Sequence, residues 1–310
     1  MTDMDALARS SSPAAAPQGS ADVVFTPPLE IVAPARQTLP LVLASPHSGS
    51  FYPAEFVASS RLDAHTLRRS EDAFVHELCA GGPALGAPLL HALFPRAYLD
   101  PNREAYELDP MMFDGPLPRH ANIRSPRVIA GLGTIARMVA SGADIYRGKL
   151  TVAEAEHRID TCYRPYHQAL RGLIDATRNR FGFCILLDCH SMPSGSSGQG
   201  VSEPSGGSDF VLGDCHGVSC APVVVHTARR ILTDQGYRVA RNTPYAGGFT
   251  TRHYGRPAEQ VHTLQIEINR RLYMDEATFD RLPAFTNVAS ALSAVAAALG
   301  AISGSELGGR

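Results

Sequence analysis

Phe183-Cys-Ile-Leu-Leu-Asp-Cys-His-Ser191 decides how the chain is read. Gly182 precedes five apolar residues, and then Asp188, Cys189, His190 and Ser191 follow at once. A short, unbroken apolar run of this kind predicts a strand covered on both faces, as parallel sheets require, rather than the alternating pattern of a half-solvated strand. A second run, Leu41-Val-Leu-Ala44, lies between Pro40 and Pro46 and leads into the loop from Ser45 to Pro53. Both runs hand polar side chains from the end of a buried strand into a loop.

Working outward, Thr151 and Glu154 form the sequence signature of a capping box. Ile159, Cys162, Tyr163, Tyr166, Leu170, Leu173 and Ile174 then recur at helical spacing, with Pro165 placed to kink or split the helix. Val223 to Gln235 reads as a helix ended by Gly236, Tyr237 to Ala240 as a strand, Val261 to Asn269 as a further strand, and the Ala-rich Ala289 to Leu299 as a closing helix. Strands alternating with helices predict an α/β fold, a single domain with a mixed, largely parallel sheet flanked by helices. In such sheets ligands sit beyond the carboxyl ends of the strands, which is where His47 and His190 fall. The Gly- and Ser-rich piece from Ser194 to Ser208 is too long for a tight turn and reads as a lid or a surface loop. Residues 1–25, rich in Ala, Ser and Pro, read as a disordered leader, 26–300 as the catalytic domain and 301–310 as a flexible tail.

Composition narrows the function. With 310 residues, 44% of them apolar and 19% charged, the chain can bury a large core. A formal charge of −2, with a pI near 6.6 and no basic stripe, argues against a nucleic-acid partner. No apolar stretch is long enough to cross a bilayer, so no membrane association is expected. Cys79, Cys162, Cys184, Cys189, Cys215 and Cys220 form no CxxC pair and suit a reducing cytoplasm.

Several residues carry possible chemistry. His47 and His190 with an acid from the pair Glu71 and Asp72 would give two imidazoles and a carboxylate, the ligand set of a hydrolytic zinc site with one position open to water. The plainer alternative has His47 merely capping its turn. In Leu264-Gln-Ile-Glu-Ile-Asn269, alternation puts Gln265, Glu267 and Asn269 on one face, where Glu267 can serve as a general base; the same alternation describes any strand with one solvated face. Arg96, Asp100, Asn102 and Arg103 follow the apolar run Leu89 to Phe94 and can hold a substrate carboxylate bidentately, or form a surface ion-pair network. Cys189 is next to His190, yet neighbouring strand residues face opposite sides, so a thiol–imidazole pair is not expected. No G-x-S-x-G elbow, P-loop or G-x-G-x-x-G pattern occurs.

Taken together, Ser45-Pro-His-Ser-Gly49 with Tyr52-Pro53, Ser70-Glu-Asp-Ala-Phe-Val75, Arg96 to Arg103, Asp188-Cys-His-Ser-Met-Pro193, Asn242 to Gly248 and Gln265 to Tyr273 resemble, in order, the N-formylglutamate amidohydrolase family. The resemblance runs from about Pro40 to Asp275. It implies a fold like that of zinc carboxypeptidases, of the phosphorylase/hydrolase-like kind, with one Zn²⁺ held by His47, Asp72 and His190, and Glu71 as the alternative acidic ligand. It further implies Glu267 as general base and acid, and Asn102 with Arg103 as the grip on a substrate carboxylate; Arg96, Arg252 and Tyr254 are further candidates for substrate binding. The expected reaction is metal-dependent hydrolysis of N-formyl-L-glutamate to formate and L-glutamate, in histidine degradation. A deacylase of another N-acyl amino acid, or a homologue that binds metal and ligand without turnover, would share most of these residues. His76 departs from the family pattern, which often has aspartate after Phe-Val.

Overall fold

The computed structural model describes residues 25–139, 142–196 and 207–308. All but the last residue of the expected leader, most of the Ser194 to Ser208 loop and the final two residues lie outside that set.

A seven-stranded sheet forms the middle of the molecule. Its strands are β1 (Leu29–Val32), β2 (Leu41–Ser45), β3 (Leu89–Ala92), β4 (Cys184–Met192), β5 (Phe210–Gly213), β6 (Val239–Arg241) and β7 (Val261–Asn269). They lie in the order β1-β3-β2-β4-β7-β5-β6. The four central strands β3, β2, β4 and β7 are mutually parallel, while β1 and β5 each pair antiparallel to a neighbour and β6 runs parallel to β5. The expected mixed, largely parallel sheet is therefore observed, with helices on both faces.

Period-two alternation sorts the side chains between two cores. Leu41, Leu43, Ile185, Leu187, Cys189, Leu264, Ile266 and Ile268 pack on one face. There they meet Val224, Ala228 and Leu232 of the helix Pro222–Asp234 and Val288, Leu292 and Val295 of the helix Phe285–Gly300. Val42, Ala44, Cys184 and Leu186 face the other way, against Tyr166, Leu170 and Ile174 of the helix Arg164–Phe181. Each such fully buried aliphatic or aromatic side chain contributes about 1.5–3 kcal/mol of transfer free energy, so the sheet centre carries much of the stability of the fold.

Thr151 and Glu154 do form the capping box of a helix over Val152–Arg158. The helix then continues without a break into Arg164–Phe181, and a π-helical turn at Ile159–Tyr163, in which the Arg164 N–H donates to the carbonyl of Ile159, precedes Pro165 and accommodates its missing N–H. Pro165 thus goes with a π-turn inside one continuous helix and does not split it.

Two expectations change. The apolar run ends at Leu187, but β4 continues through Asp188, Cys189, His190 and Ser191 to Met192 because β7 offers ladder partners that far, with His190 opposite Glu267 and Met192 opposite Asn269. His190 therefore stands on a strand and not in a loop beyond it. Residues Ile302 and Leu307, assigned by sequence to a flexible tail, are buried in the first of the two cores, held there by the turns that follow the last helix.

Candidate active site

Alternation places Asp188 and His190 of β4 on the face opposite Cys189, at the carboxyl end of the strand. On β7, in register beside them, Gln265 pairs with Asp188 and Glu267 with His190. His47 comes off the adjacent strand β2 two residues past its end. The loop carrying it needs Gly49, because a Cβ there would sit 2.1 Å from the carbonyl oxygen of Phe94. Asp72 is tied to the same loop, its backbone N–H donating to the carbonyl of His47 at 2.9 Å.

These elements bring His47, Asp72 and His190 together in a buried group. The Nδ1 atoms of the two histidines lie 3.1 Å apart, and Asp72 Oδ2 is 3.1 Å from one and 3.0 Å from the other. Around a tetrahedral zinc with bonds of about 2.0–2.1 Å, neighbouring ligand atoms stand roughly 3.3 Å apart. The far side of each ring meets a carboxylate: His47 Nε2 is 2.7 Å from Asp100 Oδ1, and His190 Nε2 is 3.1 Å from Asp188 Oδ1. At His47 the Asp100 carboxylate on Nε2 favours the tautomer protonated there and turns the Nδ1 lone pair toward Asp72; at His190 Nε2 lies between an Asp188 oxygen and the Asn102 amide, and Nδ1 faces the same Asp72 oxygen. Three lone-pair atoms converging in a dry pocket repel one another unless a cation or a proton sits among them. The residues present therefore fit a divalent metal.

The electrostatics agree. Where protons take the place of the cation, burial alone would push Asp72 up, but hydrogen bonds from the protonated rings of His190 and His47 outweigh it and hold the carboxyl well below the usual range. For His190, burial is likewise outweighed by Asp188, Asp72 and Glu267, which lift the imidazole well above its ordinary value. The site thus attracts positive charge strongly. Asp72 Oδ1 accepts from Ser191 Oγ at 3.0 Å and from Arg270 Nη2 at 3.3 Å. Of the acidic pair, Glu71 turns aside to Arg68, 3.1 Å away, and is not in the group.

A cavity of about 310 Å³ opens over the triad. Glu267 lines it, accepting from Gln265 Nε2 at 2.8 Å, and burial raises its carboxyl to about 8. Asn102 and Arg103 line it too. The Asn102 side-chain oxygen accepts from the Thr250 N–H at 2.8 Å, and its amide nitrogen lies 3.2 Å from His190 Nε2. Gly248 makes room for it: a Cβ there would meet the Asn102 amide at 2.3 Å. Arg103 donates through Nε to the carbonyl of Leu132 and through Nη1 to that of Asn102, with Asp100 at 3.3 Å from Nη2. Burial, then the charges of Arg96 and Arg127 against the counter-charge of Asp100, bring its guanidinium down to about 10. Arg96 lines the cavity and donates to Asp100 at 2.9 Å.

Arg252 and Tyr254 are not brought to this cavity. Arg252 donates to the carbonyl of Gly247, and Tyr254 is buried with its hydroxyl 2.8 Å from His167 Nδ1. Cys189 lies in the opposite core, its thiol raised well above the ordinary range by Cys79 and by burial, so it is no nucleophile. His76 stacks on His91 at 4.6 Å, away from the triad. Two further arginines, Arg127 and Arg270, line the cavity without having stood out in the sequence. Arg270 follows β7 directly, so its place at the end of the strand that carries Glu267 was a usable signal; Arg127 had none. No helix among the described residues is long and apolar enough to cross a membrane.

A model of the N-formylglutamate amidohydrolase family matches residues 39–274. An N-formylglutamate deformylase of Pseudomonas putida is 28% identical over 243 residues, covering 77% of this chain and 83% of its own. One from Pseudomonas aeruginosa is 29% identical over 252 residues, covering 80% and 86%. The crystal structure of an N-formylglutamate amidohydrolase from Ralstonia eutropha superimposes with a TM-score of 0.82 at 40% identity, over 87% of this chain and 96% of that one.

Proposed function

This chain belongs to the N-formylglutamate amidohydrolase family, a hydrolase acting on an amide bond, and we propose that it cleaves N-formyl-L-glutamate to formate and L-glutamate with a metal held by His47, Asp72 and His190. The observation that carries the reading is the convergence of two Nδ1 atoms and one carboxylate oxygen within 3.1 Å of one another beneath a cavity that also contains Glu267. Two imidazoles and a carboxylate favour zinc.

When bound, zinc polarises the scissile carbonyl and acidifies a water molecule. Glu267 takes the proton of the attacking water on its carboxylate and delivers it to the departing amide nitrogen. Gln265 holds the other side of that carboxyl in place. Arg103 has one hydrogen left on each Nη after its contacts with Leu132, Asn102 and Asp100, enough for a bidentate grip on the α-carboxylate, and Asn102 adds an amide donor. Arg96 adds a second guanidinium to that end. Arg252 and Tyr254 have no role in this scheme. The described cysteines are all free, which suits a cytoplasmic enzyme, and the reaction fits a step of histidine degradation.

The deciding experiment measures glutamate release from N-formyl-L-glutamate before chelation, after it, and after zinc is restored, with Glu267→Gln alongside. Activity that disappears on chelation, returns with zinc and is absent from a zinc-loaded Glu267→Gln protein is the expected result. Zinc binding without release of glutamate would overturn the substrate assignment and turn attention to other N-acyl amino acids.

A further inference from the structure

The cavity carries more positive charge than one carboxylate can use. Arg270 is engaged by Asp72, by Ser191 and by the backbone of Glu71, and both Arg96 and Arg103 lean on Asp100. Arg127 is different. Its side chain lines the cavity but makes no hydrogen bond or ion pair among the described residues.

Its backbone is nevertheless fixed. The backbone carbonyl of Arg127 accepts from the Leu132 N–H at 2.8 Å, and the carbonyl of Leu132 accepts from Arg103 Nε, also at 2.8 Å. On the other side, Ser125 Oγ accepts from the Val128 N–H at 3.0 Å and donates to the buried carboxylate of Glu107. The backbone of Arg127 is therefore held one hydrogen-bonded link from Arg103, and its exposed side chain lines the same cavity. The wall beside them is apolar, formed by Leu132, Ala136 and Met138. Two guanidiniums that repel each other across a short apolar wall are complementary to a molecule with a carboxylate at each end and methylenes between.

We propose that Arg127 receives the side-chain carboxylate of the substrate and so restricts the enzyme to N-acyl derivatives of acidic amino acids. This rests on the amidohydrolase reading above. The α-carboxylate pairs with Arg103 and Asn102, the side-chain methylenes run along Leu132, Ala136 and Met138, and the distal carboxylate reaches Arg127. Selectivity comes from a cation that has no counter-ion among the described residues until an acidic side chain arrives, since a neutral amide leaves the repulsion with Arg103 in place.

The test compares N-formyl-L-glutamate with N-formyl-L-glutamine, which differ only in the distal group. The readout is the ratio of their kcat/KM values within one protein, so the active fraction of each variant cancels. The wild-type ratio is expected at about 10 or more in favour of glutamate, the value of one charge-assisted hydrogen bond at a partly exposed position. Arg127→Gln should bring the ratio to near one, Arg127→Lys should retain part of it, and Arg127→Glu should invert it. Calorimetric binding of both compounds to zinc-loaded Glu267→Gln protein, with and without the Arg127 changes, gives the same ratio without turnover. If neither compound is hydrolysed by the wild type but binding still favours glutamate through Arg127, the recognition stands and the catalytic reading fails. A ratio that Arg127→Gln leaves unchanged, in turnover or in binding, overturns the proposal.

Discussion

Replacing Glu267 by glutamine should destroy activity and, in metal-stripped protein, raise stability. Glu267 sits in the dry end of the cavity with its carboxyl lifted to about 8, mainly by burial and then, against the pull of His190, by the nearby charge of Asp72. Unfolded, the same group ionises near its ordinary 4.5. A group whose folded value is raised favours the folded state fully below the unfolded value, and that contribution is lost as pH climbs to the folded one. Between pH 4.5 and 8 the wild-type protein should therefore lose stability relative to Glu267→Gln, which stays neutral throughout and accepts the same hydrogen bond from Gln265. At ~1.4 kcal/mol for each pH interval of one, the span sets a ceiling on the order of 5 kcal/mol. Relaxation and water entry leave about 1–3 kcal/mol of it, or roughly 2–6 °C in Tm for a domain of this size. Thermal unfolding of both chelated proteins at pH 5 and pH 8 tests this, with the variant's advantage growing toward pH 8. Activity of the zinc-loaded variant should fall by ~10²–10⁴, the loss of a general base. A stability difference that is the same at both pH values, or a variant that is less stable at pH 8, would refute the assignment of Glu267 as a carboxylate held in a low-dielectric site for proton transfer.

Asp100→Asn should weaken zinc binding by about 10–100-fold, because the carboxylate 2.7 Å from His47 Nε2 fixes the ring's tautomer; competition with a chromophoric chelator measures it, and excess zinc should restore much of the activity. Zinc should stabilise the wild type by ~3–4 kcal/mol at 100 to 1,000 times its dissociation constant, and His190→Ala should abolish that increment in a thermal-shift titration. Gly248→Ala should raise KM for N-formyl-L-glutamate more than it lowers kcat, since a Cβ at 2.3 Å from the Asn102 amide displaces a substrate-binding side chain and leaves the triad in place. Cys189→Ala should keep its turnover and lose about 1–2 kcal/mol of stability by denaturant titration, as expected for a truncation in the opposite core.

The parts legible in sequence are those whose periodicity is strong. Leu41 to Ala44 and Phe183 to Leu187 show as buried strands because both faces are covered, and Val261 to Asn269 was bounded to the residue. The extension of β4 to Met192 was hidden because polar residues inside a sheet look like a loop unless the partner strand is known; here β7 supplies hydrogen bonds past the apolar run and presents its own polar residues in register. Asp72 was separable from Glu71 only by resemblance, since neighbouring residues in a turn have no period to set which one points inward. The structure separates them through the His47 carbonyl, which binds the Asp72 N–H, and through Arg68, which takes Glu71. Arg127 lay beyond sequence reasoning altogether: its segment is held at the cavity by the Leu132 N–H on the Arg127 carbonyl and by the bond from Ser125 to Glu107, which no local pattern announces.

The same geometry explains why so much buried charge is tolerated. Asp72, Asp100, Asp188 and Glu267 gather at the carboxyl ends of adjacent parallel strands, where a hydrophobic replacement would be at least as stable. Arg96 and Arg103 balance Asp100, and Arg270 meets Asp72, but among the described residues Asp188 meets the His190 ring and Thr251, and Glu267 accepts its hydrogen bond from the neutral Gln265. What is left over is a negative region around the two Nδ1 atoms and a positive one around Arg103 and Arg127, within a single cavity. A metal answers the first and a substrate with two carboxylates the second. The two regions are coupled through Asp100, which touches both His47 and Arg103, so the affinity for an acidic substrate, measured by calorimetry on Glu267→Gln protein, should rise when zinc is bound.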